Sequence, residues 1–299
     1  MDQQVNKPVF PEWLRTTWAA GEDFAFTKAL IEDLGLHTVC QSARCPNMGT
    51  CWKARTATFM ILGHRCTRSC RFCSVQPGEP EAVDPSEPQR VAEAVARLAL
   101  RHAVITSVTR DDLADGGAAH FAATVRAVCE RNPASTVEVL TPDFGGNPDD
   151  VHTVLAASPD VFGHNIETVR RLYPVLRGPQ ADYDRALGVL RTVNAADQGA
   201  IVKSGLMVGH GETEAEVHET LGNLRETGCA AVTIGQYLRP GEGQSPVAEF
   251  IEPAMFEAYE RKAYDLGFAY AVAGPFVRSS FESAKVFEAV APAQAGTVR

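Results

Sequence analysis

From residue 58 onward, short apolar runs alternate with segments in which apolar residues recur at helical spacing. The runs TFMIL (58–62), AVITSV (103–108), TVEVL (136–140), VFGHN (161–165), IVKSGLMV (201–208) and AVTIG (231–235) predict strands. Each precedes a segment that predicts a helix, near residues 88–101, 118–131, 148–157, 182–196, 214–227 and 253–266. Alternating βα units force a parallel sheet with right-handed crossovers, which leaves a doubly wound sheet or a barrel. No G-x-G-x-x-G opens the first helix, so the expected fold is α/β, a partial (β/α)6 barrel left open because it has six strands rather than eight. A last apolar run, FAYAVAGPFV, is expected to return toward the barrel and carry the polar segment RSSFESA. Ahead of the barrel the pattern is irregular, broken by Pro8, Pro11 and Pro46, with one amphipathic stretch from Phe24 to Leu34. The expected organisation is an N-terminal extension (1–57), a barrel (58–267) and a C-terminal segment (268–299).

Composition changes this picture little. Of 299 residues, 45% are apolar and 22% charged, enough for a sizeable core. The net charge of −9 argues against a dedicated partner among nucleic acids or anionic membranes. The uncharged run Phe268–Val277 is about half the length of a spanning helix. The first residues, MDQQVNKPVFPEWLR, carry neither an apolar signal core nor an Arg/Ser-rich amphipathic pattern, so a cytoplasmic location is expected.

The cysteines change it more. Six of the eight lie between Cys40 and Cys73, where even scatter would put about one. Cys66, Cys70 and Cys73 form C-x3-C-x2-C directly after the first strand, at the face where barrel enzymes place their chemistry. Thiolates suit iron–sulfur clusters or zinc, and a [4Fe–4S] cube normally takes four ligands, so three thiolates leave one iron open to a chelating methionine-like ligand. The competing readings are a zinc site with a borrowed fourth ligand and a thioredoxin-like Cys70/Cys73 pair. Upstream, Cys40, Cys45 and Cys51 form C-x4-C-x5-C, again without a fourth thiolate. A zinc knot completed by a histidine such as His37 is the alternative there. Cys129 and Cys229 read as small buried residues. No catalytic triad, P-loop or paired carboxylates support hydrolytic chemistry.

The C-x3-C-x2-C loop after the first strand, with the barrel, resembles the radical S-adenosylmethionine superfamily. Those enzymes use a reduced cluster to cleave S-adenosylmethionine into methionine and a 5′-deoxyadenosyl radical. The paired triads and the segments ATFMILGHRCTRSCRFCSV, TSVTRDDLADGGAAHF, GHNIETVRRLYP, KSGLMVGHGET, TIGQYL and PFVRSSF together resemble the lipoyl synthase family. The resemblance implies insertion of two sulfur atoms at carbons 6 and 8 of an octanoyl chain amide-linked to a carrier-protein lysine. It implies two [4Fe–4S] clusters with S-adenosylmethionine: one cluster on Cys66, Cys70 and Cys73, and a sulfur-donating one on Cys40, Cys45, Cys51 and Ser280, with Ser279 the close competitor. A serine oxygen is a harder, less matched ligand for iron than thiolate and leaves more readily. The implied partners are an octanoylated lipoyl domain, of a 2-oxoacid dehydrogenase acyltransferase subunit or a glycine cleavage H protein, and an electron donor such as flavodoxin or ferredoxin.

For S-adenosylmethionine itself, the resemblance implies Gly116 and Gly117 near the methionine amino group, while position at the ends of the fifth and fourth strands points to Gly209 and Gly211 for adenine and Asn165 and Glu167 for the ribose hydroxyls. His164 reads as a packed residue, and Thr213 with Glu216 as a T-x-x-E capping box. The runs Arg110–Asp112 and Arg170–Arg171 read as solvated surface, with Arg171 or Lys203 as possible contacts for a protein substrate at the entrance. The chain departs from the family pattern at Ser42, His210, Phe281 and the loop LRPGEGQSPV. The alternatives kept open are a paralogue on a related acyl substrate, a radical sulfur-inserting enzyme in the manner of biotin synthase or methylthiotransferases, and a non-catalytic iron–sulfur or zinc protein.

Overall fold

The computed structural model describes residues 10–15 and 20–295; Pro8 lies outside them. The extension forms α1 (Glu22–Asp33), β1 (His37–Thr38), α2 (Val39–Ser42) and α3 (Met48–Lys53). The sheet then begins with β2 (Thr58–Ile61), and the cysteine loop after it is closed by a two-residue pair, β3 (Arg65–Cys66) and β4 (Gln76–Pro77). The alternating units follow as α4 (Glu87–Leu98), β5 (His102–Ser107), α5 (Ala118–Arg131), β6 (Thr136–Leu140), α6 (Pro148–Leu155) and β7 (Val161–Gly163). Next come α7 (Tyr173–Arg177), α8 (Tyr183–Ala196), β8 (Ile201–Val208), α9 (Glu214–Glu226), β9 (Ala231–Gln236), α10 (Pro253–Asp265), β10 (Tyr270–Gly274) and α11 (Ala284–Ala295).

The helices form where local chemistry starts and packs them. In α4, Val91, Val95 and Leu98 repeat at helical spacing and are buried against the sheet, with Pro88 in the first turn, where its missing N–H costs nothing. Asp182 accepts from the Arg185 N–H to start α8, and Thr213 and Glu216 form the expected capping box at α9. The strands are buried on both faces, as a parallel sheet under helices requires.

Strand order is β1-β2-β5-β6-β7-β8-β9-β10, with every pair from β2 to β10 parallel. The order follows the chain with no reversal, which separates this sheet from a doubly wound one. The count differs from the expected six. The returning apolar run is a seventh parallel strand, β10, registered Tyr270↔Ala231 through Gly274↔Gly235, and it carries the chain to the mouth of the sheet. At the other edge β1 pairs antiparallel with β2, and no pairing among the described residues closes the sheet.

Candidate active site: two cysteine triads on one cavity

The Cys66–Cys73 loop is held by a buried arginine. Arg68, 5% exposed, forks onto two carboxylates: its Nε and Nη2 donate to Asp111 (2.9 and 2.7 Å), its Nη1 and Nη2 to Asp143 (2.9 and 2.7 Å). Burial alone would raise the Asp143 pKa, but the guanidinium holds it below the ordinary carboxylate value. The run from Arg110 to Asp112 is only partly the solvated surface expected: Asp111 and Asp112 are exposed, but Arg110 is buried and donates to the Leu62 carbonyl, and Asp111 belongs to the Arg68 fork. Backbone N–H groups of Arg68 and Thr109 point at Cys66 Sγ (3.4 and 3.3 Å), and that of Val75 at Cys73 Sγ (3.4 Å). Donors aimed at sulfur stabilise a thiolate or a metal-bound sulfur.

The second triad joins the two ends of the chain. Cys40 lies in α2 and Cys51 in α3, with Cys45 on the turn between them. Asn47 Nδ2 donates to the Phe276 carbonyl (2.7 Å), docking that turn onto the tail, and the half-buried Arg278 faces Cys45. The tail fits because two strand residues lack a Cβ. A Cβ at Gly205 would lie 2.7 Å from Ser279 Oγ, and one at Gly235 would lie 2.2 Å from the Val277 carbonyl. Ser279 Oγ donates to Asn165 Oδ1 (2.8 Å), whereas the Ser280 hydroxyl has no hydrogen bond to a described residue.

Beneath the tail sits a polar plug. Lys203, 2% exposed, donates to Glu138 (2.7 Å), to the Ser279 carbonyl (2.6 Å) and to Ser283 Oγ (3.2 Å). Ser283 in turn donates to Glu138 (2.9 Å), and His102 approaches the same carboxylate (3.4 Å). Burial pushes the Glu138 pKa up, yet Lys203 and His102 bring it below the ordinary value, which favours the carboxylate. Lys203 is thus not at an entrance; it pins the tail from below. Arg171 remains outside, on Glu216 and the Gly211 carbonyl.

The first triad and Cys45 of the second open onto one cavity of about 510 Å³. Its wall includes Cys45, Cys66, Cys70, Cys73, Asn165, Glu167, Ser279 and Ser280, with Met60, Leu140, Leu206 and Met207 as apolar surface. Glu167 sits there at φ +68°, a left-handed backbone that a non-glycine residue adopts only under constraint, and burial raises its pKa. His164 also lines the cavity; burial drops its pKa to about 4, and its Nε2 has no partner. The four glycines Gly116, Gly117, Gly209 and Gly211 are not in the wall. Gly117 begins α5 against Leu62, and Gly209 packs on Gln236 and the Glu249 carbonyl.

One wall residue carried no sequence signal. Arg177, at the end of α7, is close to Cys70, Glu167 and the rings of Phe72 and Tyr173, yet its Nε is buried without an acceptor. A buried guanidinium with an unused donor suits an anionic ligand.

The donor sets fit iron–sulfur cubes better than single ions. All eight cysteines are free thiols. In tetrahedral zinc, thiolate sulfurs sit about 3.8 Å apart. Among the described residues neither triad brings its three sulfurs within 4.8 Å of one another, a spread that suits a larger inorganic unit. His37 does not join Cys40, Cys45 and Cys51 as a fourth donor: its nitrogen lies instead with donor atoms of His64 and Glu81. Burial raises the thiol pKa at five of the six positions, to about 12 at Cys51 and Cys73, so metal must displace protons there.

Residues 60–252 match the family model of the radical SAM superfamily, and residues 1–45 that of the N-terminal domain of lipoyl synthase. Lipoyl synthase of Rubrobacter xylanophilus is 53% identical over 273 residues, covering 91% of this chain and 85% of its own length. That of Thermus thermophilus is 51% identical over 278 residues, covering 93% and 86%. The chain belongs to the lipoyl synthase family. As a lipoyl synthase it is a radical-SAM sulfur-inserting enzyme, with S-adenosylmethionine and two [4Fe–4S] clusters as cofactors and octanoylated carrier proteins as substrates. Solved structures share the fold alone: methylornithine synthase superposes with a TM-score of 0.56 at 16% identity, covering 82% of this chain and 74% of its own.

Proposed function

We propose that Cys66, Cys70 and Cys73 hold the cluster that binds S-adenosylmethionine, and that Cys40, Cys45, Cys51 and Ser280 hold the sulfur donor. The observation that carries this assignment is the shared cavity: Cys66, Cys70 and Cys73 line it together with Cys45 of the second triad and with Ser280, whose hydroxyl has no hydrogen bond to a described residue. When bound, the first cluster supplies the electron that releases the 5′-deoxyadenosyl radical, and the second supplies sulfide to the carbon radicals made on the octanoyl chain.

The chain's own residues do the rest. Arg177 holds the methionine carboxylate, while Asn165 and Glu167 receive the ribose hydroxyls. Arg278 offsets negative charge beside Cys45. Met60, Leu140, Leu206 and Met207 keep water from the acyl chain, whose C–H bonds offer neither an acidic proton nor a leaving group and so need a radical. Ser280 is favoured over Ser279 because Ser279 Oγ is already committed to Asn165. Gly116, Gly117, Gly209 and Gly211 shape the cofactor's surroundings through the backbone they allow rather than as walls.

The extension (1–57), barrel (58–267) and C-terminal segment (268–299) divide the work accordingly, the first and last meeting at the second cluster. The carrier is a lipoyl domain of a 2-oxoacid dehydrogenase acyltransferase subunit or a glycine cleavage H protein, and the reductant a flavodoxin or ferredoxin. The location is cytoplasmic; no described helix is long and apolar enough to cross a membrane. The test is anaerobic incubation of the loaded protein with S-adenosylmethionine, reductant and an octanoyl-lysine peptide, read by mass spectrometry. Gain of two sulfur atoms supports the reading. An unchanged peptide with the nucleoside still released would point to a different acyl substrate.

A further inference from the structure

His37, His64 and Glu81 bring one donor atom each to within 4.8 Å of one another, and no residue of either cysteine triad is among them. His37 sits in β1, His64 follows β2, and Glu81 comes from the segment after β4. Only the fold unites them. His64 Nδ1 lies 3.2 Å from Glu81 Oε1, close to the donor–donor edge of about 3.4 Å that a tetrahedral ion with bonds near 2.1 Å would set. That nitrogen is buried and makes no directed hydrogen bond. The approach of the carboxylate uses Gly63, at φ +90°, where a Cβ would stand 3.0 Å from Glu81 Oε2. The nearby charged groups have other partners. Glu87 accepts from the Leu62 N–H and from His120, and Arg90 donates to Asp84. Burial and the neighbouring His64 lower the His37 pKa, favouring the neutral imidazole a metal requires.

We propose that His37, His64 and Glu81 form a site for one divalent ion of the zinc class, with the fourth position left to water. Two imidazoles and one carboxylate are borderline donors that suit zinc better than calcium or magnesium, which prefer all-oxygen shells. The site has a structural consequence. His37 stands three residues before Cys40 and His64 two before Cys66, so one ion staples the segment leading into the second triad to the loop leading into the first.

The test uses the protein with both clusters loaded, so that the cysteines are occupied. It is equilibrated anaerobically with micromolar Zn(II), desalted, and its metal content read by mass spectrometry. The expected result is about one zinc per chain with the iron content unchanged. His37→Asn and His64→Asn should each lose more than the roughly 10- to 100-fold in affinity that removing a supporting partner of a ligand costs. Glu81→Gln, on an exposed segment and so harmless to folding, should weaken binding by roughly tenfold or more. The proposal is overturned if the parent takes up no zinc, if all three variants bind as it does, or if zinc enters only as iron leaves. None of these outcomes bears on sulfur insertion, which uses other residues.

Discussion

Cys66, Cys70 and Cys73 lie within eight consecutive residues on a loop locked by Arg68, Asp111 and Asp143, whereas the segment of Cys40, Cys45 and Cys51 is met by residues 276–280 returning from the far end of the chain. The first site is fixed by ion pairs buried in the barrel mouth. The second is a seam between two segments outside the central strands, held by a few hydrogen bonds and by Lys203 beneath them. On the proposed assignment, the cluster that must survive each turnover belongs to the loop held by buried ion pairs, and the one that gives up sulfide belongs to the seam.

The largest effect that could break this comparison comes from the cysteines. Cys70→Ala should reduce cleavage of S-adenosylmethionine by roughly a thousandfold or more, about 4 kcal/mol of barrier. Cys45→Ala should leave cleavage within a few-fold of the parent while sulfur gain falls to background. Nucleoside release by chromatography and peptide mass, measured on the same samples, separate the two. Loss of both activities in both variants would mean that the sites are not independent.

Next in size are the two buried ion-pair systems, which should fail selectively. Removing one partner of a buried pair costs about 3–5 kcal/mol because the other charge is stranded. Arg68→Met takes the main cation from Asp143 and should strip the first cluster, and Lys203→Met takes it from Glu138 and should strip the second. Electron paramagnetic resonance of the reduced, reconstituted variants tells which signal is missing. If Lys203→Met removed both signals, or neither, the plug would have no special hold on the tail.

How much of this was legible in the chain depends on distance along it. The strands at 58–61, 136–140 and 201–208 and the helix at 118–131 follow from local periodicity, and the triads from cysteine spacing alone. The helices Val39–Ser42 and Met48–Lys53 are too short to show a period. Arg68 meets Asp111 and Asp143 across 43 and 75 residues, and nothing local marks such a pairing. Lys203 reads as a contact at the substrate entrance, yet strand geometry aims it at Glu138 inside the barrel. Arg177 looks ordinary until the fold sets it beside Cys70. The departures from the family pattern divide: His210 stacks on Tyr237 with ring centroids 4.0 Å apart, while the LRPGEGQSPV loop donates from Gln244 to the Cys73 carbonyl.

The two tail serines give a smaller and sharper contrast. Ser280→Ala should alter the spectrum of the second cluster alone and lower sulfur gain by roughly 10- to 100-fold, as expected for a group tuning the metal. Ser279→Ala removes one hydrogen bond to Asn165, worth about 1 kcal/mol, and should lower it only about fivefold with the spectrum unchanged. The reverse ranking would assign the ligand to Ser279.

The smallest effect is in the pH dependence of cluster loading, and its sign follows from the thiols. Burial raises the pKa of Cys51 and Cys73 to about 12, so at neutral pH these groups hold protons that metal must displace. Loading of both clusters should therefore become more complete from pH 7 to 8.5 and less so below pH 7. Arg278 opposes the rise at Cys45 but does not touch the first triad, where Arg177 plays that part at Cys70. Arg278→Met should shift the loading midpoint of the second cluster upward by up to about one pH unit and leave the first in place. Iron content and visible absorbance during anaerobic reconstitution follow the midpoints. A common shift of both would mean that the triads load as one unit, with the seam between the chain's ends already part of the rigid barrel mouth.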